Sequence, residues 1–230
     1  MTGGLVVIVP SRGRPHAVAE LLQAFADTCT AGTRIVFAVD GDDPARDEYV
    51  SAVADRARIN TQSSGTMVSA LNKAAIDITT AYPDLAAVAF MGDDHRPRTE
   101  GWDARYLEAL RARPGLVYGN DLLQGPRLPT QVAMSAGAVR ALGHMAPPVL
   151  THLYVDDYWM ALGLAAARIT YLPDVVVEHL HPVAGKAPWD EGHRRVNAPA
   201  MYERDAAAYR AYWEQYGARD VAALRRAVAA

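Results

Sequence analysis

The stretch Leu85-Ala86-Ala87-Val88-Ala89-Phe90-Met91 runs without a charge and then breaks into Gly92-Asp93-Asp94-His95. An apolar run of this length has no use in water, so the spacing predicts a buried strand over 85–91. The polar cluster then sits at the strand's C-terminal end, where open α/β sheets place their ligands. Adjacent carboxylates and an imidazole are donors that suit a divalent cation. The same residues also make an Asx turn opening a helix, so alone they support either reading.

Outward from this stretch, the chain repeats its design. Leu5-Val6-Val7-Ile8-Val9 is another continuous apolar run, the pattern of a strand covered on both faces. It stops at Pro10-Ser11-Arg12-Gly13-Arg14-Pro15. Pro15 suits the first turn of a helix, and Leu21, Leu22 and Phe25 set the apolar stripe of one over 17–26. Two arginines at a strand-to-helix junction can receive an anion, or form an ordinary basic loop. A second strand over 34–39 ends in Asp40-Gly41-Asp42-Asp43-Pro44, with a helix expected over 45–57. A weaker strand over 58–60 and a polar turn over 61–65 follow. Met67, Leu71, Ala75 and Ile78 then mark a helix, with Asn72 and Lys73 at or beyond the margin of its stripe.

Strand thus alternates with helix, which places the chain in the α/β class. The expected architecture is a Rossmann-like three-layer sandwich, a mainly parallel central sheet with helices on both faces. Right-handed crossovers put the strand ends on one edge. Ser11-Arg12-Gly13-Arg14, Asp40-Gly41-Asp42 and Asp93-Asp94-His95 therefore converge there. Two acidic turns and a basic one suit a nucleotide bound with a cation, which favours the cation reading of Asp93-Asp94-His95. Neither G-x-x-x-x-G-K-[ST] nor G-x-G-x-x-G follows the first strand. Metal and arginine are then left to neutralise the phosphates.

The later part of the chain is less regular. A helix is expected over 99–112, strands over 116–118 and 130–134, and a short helix over 138–142. The segment 144–150, with Pro147 and Pro148, reads as mobile or irregular. Asp156 and Asp157 open a helix to about 167, where carboxylates also serve as ordinary caps. Val175-Val176-Val177 is a late strand ending in Glu178-His179-Leu180-His181. A polar segment over 185–197 holds Lys186, Trp189, Asp190, His193, Arg194 and Arg195, and the chain from 200 onward reads as helix broken near Gly217. Tyr209, Tyr212, Trp213 and Tyr216 read as packing aromatics.

With 230 residues, half of them hydrophobic, the chain can bury a full core. A net charge of −3 gives no bulk drive towards nucleic acid or acidic lipid. The single cysteine, Cys29, excludes an internal disulfide and suits a cytoplasmic location. No apolar stretch is long enough to span a bilayer.

In order along the chain, these residues resemble a GT-A-fold glycosyltransferase, similar to glycosyltransferase family 2. The likeness rests on Val9-Pro10-Ser11-Arg12-Gly13-Arg14-Pro15, Val39-Asp40-Gly41-Asp42, Asn72-Lys73-Ala74-Ala75, Asp93-Asp94-His95, Gly101-Trp102, Asp156-Asp157 and His179. Glu178-His179 leading into 186–195 also resembles glycosyltransferase-like proteins of actinobacterial phages, whose site of action would be the host cytoplasm. The resemblance implies sugar transfer from a UDP- or GDP-sugar to an acceptor hydroxyl, with a divalent metal, Mn²⁺ in preference to Mg²⁺. It implies a donor site of Pro10, Ser11, Arg12, Arg14, Asp40, Asp42, Asn72, Lys73 and Asp93. Asp94 and His179 are its implied metal ligands, with His95 as the alternative. Asp157 is the implied general base beside Asp156. Residues 1–95 would form the nucleotide-sugar half, 96–198 the acceptor half, and 199–230 a C-terminal helical segment. The acceptor class (protein, glycan, small molecule or modified DNA) stays open, as does a homodimer. The family's acidic run usually carries Asp where Gly92 stands, and its acceptor-side pair reads Glu-Asp. Which of Asp93, Asp94 and His95 holds the metal therefore stays open. A sugar-1-phosphate nucleotidyltransferase and a non-catalytic nucleotide- or carbohydrate-binding module are the alternatives.

Overall fold

Odd and even residues of the first strand face different cores. Leu5, Val7 and Val9 pack on one side of the sheet, while Val6 and Ile8 pack on the other. This is the period of two expected of a strand buried on both faces. A computed structural model describes residues 3–62 and 65–228; Ser63 and Ser64 of the expected polar turn lie outside them. The first half runs β1 (Leu5–Ser11), α1 (Pro15–Thr28), β2 (Arg34–Asp40), α2 (Arg46–Val53), β3 (Arg58–Gln62), α3 (Met67–Ala81), β4 (Ala87–Phe90) and β5 (His95–Pro97). It continues with α4 (Trp102–Ala112), β6 (Leu116–Asn120), β7 (Val132–Ser135), α5 (Ala136–Leu142), α6 (Val155–Ala166), β8 (Ile169–His179), α7 (Glu191–Val196) and α8 (Pro199–Ala227).

Among the described residues, eight strands form one sheet in the order β3-β2-β1-β4-β7-β6-β8-β5. Strands β3, β2, β1 and β4 are parallel neighbours, as are β6 and β8. Strand β7 runs antiparallel to both its neighbours, and β5, at the edge, runs antiparallel to β8. Helices α1, α2 and α4 cover one face with Leu21, Phe25, Tyr49, Val53, Trp102 and Tyr106. Helices α3, α5, α6 and α8 cover the other with Leu71, Ile78, Val139, Trp159, Leu162 and Leu224. The result is the three-layer α/β sandwich expected from the alternation of elements.

Four features depart from the sequence reading. Strand β8 begins at Ile169 rather than 175, and its register slips where Gly119 pairs Leu172 but Asn120 pairs Val176. A Cβ on Gly119 would sit 2.4 Å from the Val175 carbonyl oxygen, so the slip needs glycine there. Beyond this bulge β8 pairs β5, a strand with no apolar signal, and His95 comes opposite His179. Helix α8 continues through Gly217, because the Trp213 ring lies where a side chain would be, 2.9 Å from an ideal Cβ. The cost of one helical glycine, about 1 kcal/mol, is offset by that packing. The segment 144–150 is irregular but far from loose, with Met145, Ala146 and Leu150 buried. Finally, the polar segment 185–197 contains a short helix, α7, capped by Asp190.

Candidate functional site

A cavity of about 700 Å³ opens at the C-terminal edge of β1, β2 and β4. Its position follows from the parallel register, which brings the ends of these strands level. Ser11, Arg12 and Arg14 line one wall with Asp40 and Asp42. Asp93, Asp94, His95 and His179 form the centre, and His152, Asp156, His193 and Tyr202 face them.

The wall at β1 is built by a chain of hydrogen bonds. Ser11 Oγ donates to Asp93 Oδ2 at 2.5 Å and lies 2.7 Å from the Tyr49 hydroxyl. Because the serine proton goes to Asp93, Tyr49 donates to Ser11 and in turn accepts the Arg14 N–H at 2.8 Å. Gly13, at φ 70°, turns its N–H onto Asp43 Oδ2. Arg12 reaches across to Asp40 at 2.9 Å and Asp42 at 2.6 Å, joining the first two sequence clusters. Arg14 bridges Asp93 at 3.1 Å to Asp190 at 2.8 Å, tying the end of β4 to the start of α7.

At the centre, Asp94 is ringed by imidazoles. Its Oδ2 lies 3.3 Å from His179 Nε2 and 3.8 Å from His193 Nε2, and its Oδ1 lies 3.4 Å from His95 Nδ1. Burial alone would raise the Asp94 pKa, but these histidines outweigh it and hold the carboxylate well below its ordinary value. Asp93 goes the other way, pushed up by burial and by the Asp94 charge. Burial opposes a charge on His179, yet Asp94 draws its pKa above the ordinary value. His95 is lowered, by burial and by the nearby His179. The rings of His95 and His179 stack with centroids 4.2 Å apart, a direct consequence of the β5–β8 pairing.

Gly92 makes the turn possible. A Cβ there would lie 2.5 Å from Asp94 Oδ1 and 3.0 Å from His95 Nδ1, so any side chain at this position would push the Asp94 and His95 side chains aside. Arg96, buried, holds the turn from beneath by donating to the carbonyls of Asp93 and His95 and pairing with Glu20. On the far side, Asp121 accepts the N–H groups of Leu123, Gln124 and Gly125 and the Thr130 hydroxyl.

The acidic pair at the start of α6 is split. Asp156 faces the cavity, and burial together with the Asp157 charge pushes its pKa up to about 6. Asp157 does not line the cavity; the carboxyl nearest the site is that of Asp156, which accepts the Asp157 N–H. Of the two carboxylates expected to act at the acceptor, Asp156 is thus the one that lines the cavity. Asn72 also turns away, clamping the 145–146 backbone by accepting from Met145 and Ala146 N–H and donating to the Ala146 carbonyl. Lys73 is exposed and pairs with Asp77 one turn along its helix. Neither of these two expected donor-site residues lines the cavity, although Met67 and Ala70 at the start of the same helix do. Pro10, Ser11, Arg12, Arg14, Asp40, Asp42 and Asp93 do line it.

Sequence reasoning assigned no role to His193, Asp190, Arg96, Asp121 or His152. For His193 a usable signal existed: Asp190 three residues earlier is a helix-capping spacing, and Asp190 Oδ1 accepts the His193 N–H at 2.7 Å. The cap orients the first turn of α7 and swings His193 inward.

No known family profile and no curated protein sequence matches this chain. Among solved structures, it is similar to the mannosyltransferase PcManGT from Pyrobaculum calidifontis in complex with GDP-Man and Mn²⁺, with 15% identity, 98% of this chain and 74% of that chain covered, and a TM-score of 0.60. S. aureus TarS 1–349 in complex with UDP-GlcNAc matches at 13% identity, over 92% of this chain and 73% of that chain, with a TM-score of 0.55. A Desulfovibrio desulfuricans G20 protein described as a nucleotide-diphospho-sugar transferase matches at 13% identity, over 92% and 99% of the two chains, with a TM-score of 0.54. The chain spans only 59% of the UDP-bound TarS 1–349 and 43% of the TarS chain. At these identities the likeness shows the fold, which is the GT-A-type architecture the sequence resemblance implied.

Proposed function

We propose that the protein is a metal-dependent glycosyltransferase that moves a sugar from a UDP- or GDP-sugar to an acceptor hydroxyl. The observation carrying this reading is Asp94, held ionised beside His179 at the C-terminal edge of the parallel strands, in a cavity shared with Arg12, Asp40 and Asp42. Asp94, His95 and His179 offer ligand atoms that all lie within 4.8 Å of one another, a donor set of carboxylate and imidazole. Such a set fits a divalent ion and favours Mn²⁺ over Mg²⁺. A bound ion supplies charge stabilisation to the departing diphosphate.

The protein's own groups do the rest in this reading. Asp40 and Asp42 hold the base and ribose, with Arg12 bridging them. Asp93, fixed by Ser11 and Arg14, faces the ribose. Asp156 takes the acceptor hydroxyl's proton onto a carboxylate oxygen as the new glycosidic bond forms and the bond to the diphosphate breaks. Its pKa of about 6 suits a base that must be ionised near neutrality yet still accept a proton. The donor occupies the side built by residues 1–95, and the acceptor approaches between α6 and α7. Among the described residues no helix is long and apolar enough to cross a membrane.

Titration calorimetry with UDP and GDP, with and without Mn²⁺, tests the proposal. Metal-enhanced binding of one of them is expected, and no metal-dependent binding by either nucleotide would refute it. Asp156→Asn is then expected to lower transfer on the order of a hundred-fold or more, while Asp157→Asn retains most of it.

A further inference from the structure

Which histidines complete a cation site around Asp94 is decided by how each ring nitrogen is used. His95 Nδ1 already accepts the Gly92 N–H at 3.0 Å. Its Nε2 faces the Thr130 hydroxyl at 3.4 Å, whose own proton goes to Asp121. With Nδ1 on the Gly92 N–H, His95 favours the Nε2–H tautomer, which leaves Asp94 and His179 as the members of that donor set with a lone pair free for a metal. His181 is likewise engaged, accepting the Val183 N–H on Nδ1.

His193 is the opposite case. It is 7% exposed, and neither of its ring nitrogens makes a hydrogen bond. A buried imidazole whose ring nitrogens make no aligned hydrogen bond is costly, and such a group calls for a ligand. Its Nε2 points to Asp94 Oδ2, the oxygen that also faces His179 Nε2. Its Nδ1 lies 2.9 Å from Asp190 Oδ1, out of hydrogen-bond alignment, and Arg14 holds Asp190 in place. Small rotation of the ring would complete the carboxylate–histidine arrangement that orients metal-bound imidazoles. The rings of His181 and Trp189 pack against His193 at centroid distances of 5.5 and 6.2 Å, shielding it.

We propose that His193, through Nε2, is a third protein ligand of the divalent cation beside Asp94 and His179, with Asp190 as the carboxylate that orients it. The inference rests on the metal-dependent reading above and extends it. A site with only a carboxylate and one imidazole depends on the donor's phosphates to hold a cation. A site with two imidazoles and a carboxylate from the protein holds Mn²⁺ by itself.

The test uses Mn²⁺ alone, followed by calorimetry and by pulsed electron paramagnetic resonance, which counts coupled histidine nitrogens in the wild-type protein. Binding without nucleotide and two coupled histidine nitrogens are expected. His193→Ala should leave one nitrogen and weaken binding on the order of a hundred-fold, and Asp190→Asn roughly ten-fold. Binding by His193→Ala within about three-fold of wild type, or a single nitrogen in the wild type, overturns the proposal. If Mn²⁺ binds only together with UDP or GDP, this inference fails while the metal-dependent reading stands. If Mn²⁺ binds under neither condition, both fail. Should His193→Ala not fold, the wild-type nitrogen count still decides.

Discussion

Replacing Asp156 with asparagine is expected to make the protein more stable and less active. Asp156 is half-buried at the start of α6, where it lines the cavity with Asp157 beside it, and its folded-state pKa is raised from 3.8 to about 6. A raised carboxyl pKa means that folding is least penalised when the group is neutral, below about 3.8, and that stability falls as pH rises through about 6. At about 1.4 kcal/mol per unit, a shift of this size costs about 3 kcal/mol above that range. Asparagine has nearly the same shape, keeps an oxygen for the Asp157 N–H and carries no charge to desolvate. The variant should therefore gain up to about 3 kcal/mol at about pH 7.5, and only about 1 kcal/mol at about pH 4.5. For a domain of this size the larger figure corresponds to a rise in melting temperature of roughly 6–12 °C. Thermal unfolding of both proteins across that pH range, with a chelator present, measures the difference. A stabilisation that does not change with pH, or a variant less stable at about pH 7.5, would show that Asp156 is not a destabilised carboxylate. A gain in stability with a loss of transfer is the pattern of a residue kept for function.

The other expectations concern neighbouring parts of the site. Asn72→Ala, which removes the clamp on Met145 and Ala146, should cost about 1–3 kcal/mol of stability without changing nucleotide affinity in calorimetry. Lys73→Ala should alter stability by less than about 1 kcal/mol, since its partner Asp77 is also exposed. Nucleotide affinity altered ten-fold by either would instead support the donor-site role expected of these residues. Gly92→Ala should fold, by circular dichroism, but weaken Mn²⁺ binding at least about ten-fold by displacing the Asp94 carboxylate; unchanged binding would refute the role given to that turn. Mn²⁺ should slow amide hydrogen exchange across residues 182–197, because His193 and Asp190 would join that segment to the site; no change on Mn²⁺ binding would contradict the connection.

The sequence by itself determined the layers. Strands β1, β2 and β4 are legible because burial on both faces demands uninterrupted apolar runs, and α1 and α3 because their stripes follow the helical period. Parallel strands joined by crossovers also bring their ends to one edge, so the meeting of Ser11, Asp40 and Asp93 could be anticipated. Tertiary structure alone decided which side chains face inward there. Asp156 rather than Asp157 reaches the cavity because the helix start sets their directions, and adjacent carboxylates look alike in a sequence. The opposition of His95 and His179 depends on a bulge at Gly119 and on β5, a strand too short to have a pattern. His193 meets Asp94 only because Arg14, far away along the chain, anchors the cap of α7. Local propensity reports on a few neighbouring residues. The centre of this site is assembled by contacts between segments separated by most of the chain, and no short window contains them.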